Sequence, residues 1–199
     1  EGAGLGNKFL ANIRETDAIV QVVRCFENDD IIHELGTVDP LRDIEIINAE
    51  LILADHASLT KRRVSREKKS RGNDKEAKRE LEVIDKILTH LDEGKPAITA
   101  DINDDDYEIM KEFFLLTSKR TIFACNVSED DLADTINSSK DNSMVARVQQ
   151  YAEETHGAEI IIISARIEEE LIDISPEEAK EFLADMGVMD SGFSTMIRS

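Results

Sequence analysis

Three short runs of apolar, largely β-branched residues predict buried strands. These runs are 18–26, 121–127 and 160–165. Their apolar residues are nearly continuous, which is typical of a parallel sheet covered on both faces. Apolar residues also recur at helical spacing over 7–15, 107–116 and 144–154. Strands that alternate with helices of this length predict a doubly wound, mostly parallel α/β sheet.

Residues 39–91 depart from this alternation of strands and helices. Ile44, Ile47 and Leu51 begin a long helical pattern, and a second pattern continues through Ile84 to Leu91. Between them, Gly72-Asn73-Asp74 predicts a turn with Asp74 as the N-cap of the second helix. Two amphipathic helices around a short polar turn indicate an antiparallel helical hairpin, a coiled coil inserted into the α/β domain.

A further helix is predicted over 176–186. Ser175 lies at its N-cap position and Glu178 at the third helical position, as in a capping box. Residues 187–199 show no strong pattern, and we expect them to be a connection to a further domain.

Composition favours a cytoplasmic protein without membrane spans. No apolar run approaches the roughly 20 residues that cross a bilayer. The two cysteines, Cys25 and Cys125, each lie inside an apolar run. Such thiols indicate small core residues more than a disulfide or redox pair, and the absence of Cys clusters suits a reducing compartment.

Charge is distributed very unevenly along the chain. The formal net charge is -19, yet ten of the 24 Lys and Arg residues fall within 61–80, where only four acidic residues oppose them. The net charge of the whole chain argues against DNA or RNA wrapping its whole surface, and we expect no DNA partner. The basic segment falls at the hairpin tip, where it suits phosphate contacts with RNA or, alternatively, keeps the tip soluble. The predicted contacts are Lys61, Arg62, Arg63, Arg66, Lys68, Lys69 and Arg71.

Polar residues follow two neighbouring strands at the point where each strand ends. Asn126-Val127-Ser128-Glu129 follows the second strand, and Ser164-Ala165-Arg166 follows the third. These elements resemble the two places where P-loop GTPases read the guanine base. There, Asn-Lys-x-Asp contacts the base and Ser-Ala braces it. The alternative is an ordinary strand-to-helix loop with Ser128 or Glu129 near the next helix start.

The chain resembles the YchF-type (Obg-related) P-loop NTPases over nearly its whole length. The resemblance is densest in Gly4–Glu15 and Val22–His33, continues through Val38-Asp39-Pro40, and includes Asn126-Val127-Ser128-Glu129 as that family's unusual base-reading motif. It implies a G domain interrupted by a helical coiled-coil insertion and followed by a TGS domain. Members are NTPases that bind ribosomes and often prefer ATP to GTP.

On this resemblance, residues 1–57 and 95–174 form part of the G domain, 58–94 form the hairpin, and 175–199 lead to a TGS domain. No Walker loop, switch I Thr or Asp-x-x-Gly occurs in the chain. Since those elements hold the phosphates and Mg²⁺, we expect the ligands of Mg²⁺ upstream of Glu1. We expect these 199 residues alone to hydrolyse no nucleotide.

The base-reading motif departs from that of guanine-specific enzymes. Val127 stands in place of the stacking Lys, and Glu129 in place of the Asp. A longer carboxylate would no longer meet the two guanine donors squarely, which favours ATP as substrate. Asn126, Val127 and Glu129 would select the base, and Ser164, Ala165 and Arg166 would brace it. A GTP-specific GTPase and a non-catalytic module that uses the basic hairpin remain alternatives.

His33 is the one histidine that we weigh as catalytic, because it follows a strand's carboxyl end, where α/β proteins bind ligands. It could orient the attacking water, or be a loop histidine without a role. His56, His90 and His156 lack metal-ligand spacing and are interpreted as structural. The acidic run Asp104-Asp105-Asp106 lacks EF-hand spacing and predicts a solvated helix start.

Overall fold

A computed structural model of the protein describes residues 6–33, 36–71, 74–138, 142–154 and 158–198. In chain order its elements are α1 (Asn7–Arg14), β1 (Ala18–Arg24), α2 (Pro40–Ser70), α3 (Lys75–Asp92), a 3₁₀ turn (Ala97–Thr99), α4 (Asp104–Lys111), β2 (Arg120–Asn126), α5 (Leu132–Asn137), α6 (Ser143–Glu154), β3 (Glu159–Ile163), α7 (Ala165–Ile172), α8 (Pro176–Asp185) and α9 (Gly192–Arg198). The chain divides into two compact units. The helical unit comprises the chain up to Ile19 with Glu45–Arg120, and the sheet unit comprises Val20–Ile44 with Thr121 onward.

The sheet unit confirms the predicted α/β class. Its three strands lie in the order β1-β2-β3. β2 and β3 are parallel, with Ile122 opposite Glu159 and Asn126 opposite Ile163. β1 borders β2, where the Cys25 amide donates to the Asn126 carbonyl at 2.8 Å. Apolar residues of β1 and β2 pack with α6, α7 and α8 in one core.

The two cysteines are free thiols buried in that core, as predicted. Cys25 is 1% exposed and Cys125 is fully buried. A hydrogen bond with Cys125 and burial both raise the pKa of the Cys25 thiol. Because the thiolate is the reactive species, Cys25 is an inert core residue in the folded protein.

The helical unit contains the predicted antiparallel hairpin. Arg62 pairs with Glu80, and His56, farther from the turn on α2, pairs with Asp92, farther along α3. Asp74 caps α3 by accepting from the amides of Glu76 and Ala77, as predicted. The turn residues Gly72 and Asn73 lie outside the described residues.

This unit takes in more of the chain than the 58–94 predicted for the hairpin. Val83, Ile84 and Ile87 of α3 are fully buried, and they pack in one core with Met110 and Phe113 from beyond the hairpin. The predicted domain boundaries stay a prediction. The compact unit includes the segments that pack against α3, among them the one that contains Met110 and Phe113. Long-range packing therefore extends the unit on both sides of the predicted insertion.

Asp55 fastens the middle of α2 to the segment that precedes β2. Its fully buried carboxylate accepts from the amides of Leu116 and Thr117 at 2.9 and 2.8 Å, and from the Thr117 hydroxyl at 2.8 Å. Arg14 Nη1 lies 3.3 Å away and completes the cluster. Burial raises the pKa of Asp55, and these donors act against that rise.

Two segments differ from their predicted helical content. The pattern at 107–116 begins earlier and stops at Lys111, because Phe114 takes a left-handed backbone with φ of 51°. Residues 187–199, for which no pattern was predicted, contain α9. The prediction at 176–186 is confirmed as α8, and Ser175 and Glu178 form the expected capping box.

The acidic run does begin a helix, but it is not fully solvated as predicted. Asn103 caps α4, and Asp106 is fully buried between Arg79 and Lys86, at 2.5 and 2.9 Å. Within the described ranges, no helix has both the length and the apolar character needed to cross a membrane.

Candidate functional site

The candidate base-reading site lies where β2 and β3 end. Their parallel register places Asn126 opposite Ile163, so the residues that follow each strand leave the sheet at the same edge. The Val127 amide donates to the Ile163 carbonyl at 2.9 Å and extends this alignment by one residue. Ligands of open α/β sheets bind at this edge, beyond the carboxyl ends of the strands.

Asn126 joins the two strand ends directly. Its side-chain Oδ1 accepts from the Ala165 amide at 2.8 Å. Ala165 is the first residue of α7, so the asparagine also satisfies one of the free amides at that helix start. With Oδ1 in this bond, the Asn126 NH₂ group is left as a donor toward a ligand.

Glu129 and Arg166 form an ion pair across the same two loops. Glu129 Oε2 lies 2.9 Å from Arg166 Nε, and Arg166 also approaches Glu170 at 3.6 Å. The Glu129 and Arg166 side chains are 38% and 73% exposed, so both remain accessible to a ligand. The contact with Arg166 engages Oε2, and the carboxylate keeps capacity for further donors, since its two oxygens offer about four acceptor sites.

Val127 and Ser164 lie deeper, each 2% exposed. Val127 packs in the core of the sheet unit. Ser164 is the N-cap of α7, and its carbonyl accepts from the Glu168 amide at 3.0 Å. Ser128 donates to Asp131 at 2.5 Å in the turn before α5. That turn fits the alternative of an ordinary loop at Ser128, and the base-reading role of the neighbouring residues stays a prediction.

His33 is held by the first turn of α2. Its Nε2 lies 2.8 Å from Asp43 Oδ2, and the His33 side chain is 15% exposed. A carboxylate partner fixes the orientation of an imidazole ring. The arrangement is compatible with a histidine that positions a water molecule, and this role also stays a prediction.

The other histidines have ordinary structural partners where the structure describes them. His56 pairs with Asp92 at 3.0 Å, and His90 is hydrogen-bonded to Thr99 at 2.6 Å. His156 falls outside the described residues.

An open cavity of about 380 Å³ lies past the end of β1. Its wall holds the carboxylates of Glu27, Asp131 and Asp134 together with Phe26 and Asn142. Such an acidic lining repels phosphates, so the cavity is unsuited to a nucleotide's polyphosphate. Across the residues that the structure describes, no group of three or more His, Cys, Asp or Glu side chains is placed to hold a metal ion.

The basic residues of the hairpin fall into two groups. Arg62, Arg63, Arg66 and Arg71 each lie within an ion-pair distance of a carboxylate. Lys61, Lys68 and Lys69 are exposed. The sequence predicted these seven residues as one set, because Glu80 and Asp85, the partners of Arg62, Arg63 and Arg66, lie on α3 and are distant in sequence.

The sequence did not predict a role for Glu168 and Gly192, which hold α9 against α7 and the end of β3. Glu168 is 8% exposed on α7, one turn after Ala165. Its Oε1 accepts from the Gly192 amide at 2.5 Å. A Cβ at residue 192 would overlap Ile163 Cγ2, so the close approach of α9 to the end of β3 requires glycine.

Replacing Gly192 with Ala is expected to lower the free energy of unfolding of the sheet unit by about 1–3 kcal/mol, since overpacking strains a close contact. Chemical denaturation measures the change. Ile163→Ala removes the overlapping methyl. The double variant G192A with Ile163→Ala should therefore lose less stability than the sum of the losses of the two single variants. Simple additivity would show that Ile163 is not the obstacle.

Comparison with known proteins places the chain among relatives that match it from end to end. It is 43% identical over 199 residues to the ribosome-binding ATPase YchF of Haemophilus influenzae, and 40% identical over 199 residues to that of Bacillus subtilis, covering 100% of this chain in each case. The chain belongs to the YchF family. No model of a known protein family matches it. The chain spans 53% of the length of each of these two relatives.

Two eukaryotic YchF-type proteins extend the likeness. Obg-like ATPase 1 of Saccharomyces cerevisiae is 39% identical over 188 residues, which are 92% of this chain and 46% of that protein. The structure of the Schizosaccharomyces pombe YchF GTPase matches with a TM-score of 0.84 and 33% identity, over 98% of this chain and 52% of that one. The YchF fold thus accounts for both compact units.

Proposed function

We propose that this chain is the base-reading and hairpin portion of a nucleoside-triphosphate hydrolase. It uses ATP in preference to GTP and associates with the ribosome in the cytoplasm. The observation that supports the nucleotide site most directly is the bond from the Ala165 amide to Asn126 Oδ1, at 2.8 Å. It brings together the two elements that P-loop NTPases use for the base.

The preference for adenine follows from the state of Glu129. Reading guanine with an acidic residue requires a carboxylate free to accept from two adjacent donors on the base. Glu129 Oε2 already accepts from Arg166 at 2.9 Å. Adenine presents one amino group on that edge, and Oε1 of the carboxylate can accept from it. The Asn126 NH₂ group can donate to N7, an acceptor that both purines share.

The other groups of the proposed site act indirectly. Buried Val127 aligns Asn126 with the end of β3. It stands where guanine-specific enzymes have the lysine that stacks on the base. Ser164 starts α7, whose first amide is held by Asn126. His33, oriented by Asp43 at 2.8 Å, would position the attacking water. Mg²⁺ would neutralise phosphate charge when bound, and we assign its ligands to residues outside these 199.

The ribosome association is assigned to the hairpin of α2 and α3. Relatives of the chain are named ribosome-binding ATPases, and the basic segment 61–80 has the charge that RNA phosphates attract. The S. pombe protein is described as a GTPase, so a GTP-specific enzyme is the competing proposal, and direct competition between ATP and GTP decides between them.

Freeing the Glu129 carboxylate should move selectivity toward guanine. In the whole protein that contains this chain, Arg166→Ala combined with Glu129→Asp is expected to reduce the ratio of ATP to GTP affinity by about tenfold or more, since a charge-assisted hydrogen bond contributes about 1.5–3 kcal/mol. Calorimetric titration with each nucleotide and Mg²⁺ measures both affinities. Val127→Lys is avoided because residue 127 is 2% exposed.

Glu170→Asp is the matched control, because Glu170 also contacts Arg166, at 3.6 Å, but lies on α7 and not in the loop that follows β2. It should leave the ratio unchanged. If the wild-type protein binds neither nucleotide, the hydrolase proposal is wrong. If it binds ATP and the double variant keeps the same ratio, Glu129 does not select the base.

A further inference from the structure

The five arginines of the basic segment are all engaged within the helical unit. Arg62 and Arg66 converge on Glu80, at 2.5 and 2.6 Å, and Glu80 is 9% exposed. The Arg62 guanidinium also stacks over the Phe113 ring at 4.7 Å and donates to the Glu112 carbonyl at 3.1 Å. These contacts tie α2 to α3 and to the end of α4, so the two arginines serve the fold.

The remaining three arginines also have carboxylate partners. Arg63 pairs with Asp85 at 2.5 Å, and Arg71 with Glu67 at 3.4 Å. Arg79 lies 2.5 Å from buried Asp106. A guanidinium that is paired with a carboxylate has part of its charge neutralised and some of its N–H donors occupied. It therefore attracts a phosphate less strongly than an unpaired cation does.

Four lysines of the same segment have no such partners. Lys61, Lys68, Lys69 and Lys75 are all exposed, and none of their ammonium groups has an ion pair or hydrogen bond within the part of the chain that the structure describes. They can therefore bind a phosphate without breaking a contact inside the protein.

The lysines on α2 are spaced for repeated contacts along one direction. Lys61 and Lys68 are seven residues apart, which places them on the same side of the helix and about 10 Å apart along its axis. An ammonium is a compact point charge with no required geometry of approach. A row of such charges suits a regular array of phosphates and reads no sequence.

We infer that the hairpin binds the sugar-phosphate backbone of helical RNA through Lys61, Lys68, Lys69 and Lys75, while its arginines hold the hairpin together. This inference rests on the proposed ribosome association and changes the expected contacts. Arg62, Arg63, Arg66 and Arg71 leave the set of RNA ligands, and Lys75 enters it.

The test compares two variants of the whole protein that lose equal charge. Lys61→Gln with Lys68→Gln removes two unpaired lysines. Arg63→Gln with Arg71→Gln removes two paired arginines, whose side chains are 41% and 76% exposed. Binding to a fluorescent duplex of ribosomal RNA is measured over a range of KCl concentrations, and binding to ribosomes by co-sedimentation. Thermal unfolding checks that both variants fold.

The lysine pair should weaken RNA binding about tenfold or more and reduce the slope of log K against log salt by about 1.8, at 0.9 per lost contact as for duplex DNA. The arginine pair should leave the slope unchanged. The variant Lys61→Arg with Lys68→Arg keeps both charges and should have the same slope as the wild-type protein.

Each other outcome overturns the inference in a distinguishable way. If the wild-type protein binds no ribosomes, the proposed association fails, and the lysine assignment fails with it. If ribosome binding persists but the arginine pair matters as much as the lysine pair, only the lysine assignment is wrong. If the lysines matter for ribosomes but free duplex RNA is not bound, their partner is an acidic protein.

Discussion

Replacing Asp55 with Asn is expected to lower the free energy of unfolding of the helical unit by about 3–5 kcal/mol, the usual effect of breaking a buried charge cluster. All four partners of this carboxylate are donors, from Leu116, Thr117 and Arg14. An asparagine keeps one acceptor and turns a donor toward one of these groups. A buried N–H that loses its partner costs about 1–3 kcal/mol.

The midpoint of urea unfolding, followed by circular dichroism, measures this effect. Asp101→Asn is the control, because Asp101 is exposed and lies outside the helices. It should change stability by no more than about 0.5 kcal/mol. Equal effects of the two substitutions would mean that Asp55 does not fasten α2 to the segment before β2.

Replacing Ile87 with Ala should destabilise the hairpin by about 2–5 kcal/mol, because it removes a fully buried side chain and leaves a cavity. Ile87 has no exposed surface and packs with Leu59 of α2 and with Met110. Since the chain has two compact units, amide hydrogen exchange along α3 is the measurement of choice, and faster exchange is expected throughout that helix.

Leu53→Ala provides the matched control on the other helix. Leu53 is 65% exposed on α2, so its truncation removes little buried surface. Exchange along α3 should stay at the rate of the unmodified protein. Unchanged exchange in the Ile87 variant would contradict the packing of α3 against α2.

The strands and the hairpin could be predicted because their signals are local. Continuous β-branched runs fix β2 and β3 to within a residue or two, and the Asp74 cap fixes the start of α3. The extent of the helical unit could not be predicted from such signals. It depends on contacts such as that of Asp55 with Leu116, which are 61 residues apart in sequence.

For the candidate site, the meeting of Asn126 with Ala165 follows from the parallel order of two adjacent strands. The Glu129–Arg166 ion pair has no such signal, since two surface side chains in different loops can face in many directions. The overlap that requires glycine at 192 depends on a helix, α9, whose seven residues show no strong apolar period. The sequence could not distinguish the paired arginines of the hairpin from its unpaired lysines, because most of the pairing carboxylates lie on α3.

A single turn of α7 ties two structural elements together. The Ala165 amide at its start donates to Asn126 Oδ1, and Glu168, three residues later, accepts from the Gly192 amide. Any ligand at the strand ends that displaces this turn changes how firmly α9 is docked. By thermodynamic reciprocity, the docking of α9 then alters the affinity for that ligand by the same factor. The docking of α9 and ligand binding at the candidate site would then be thermodynamically coupled through α7.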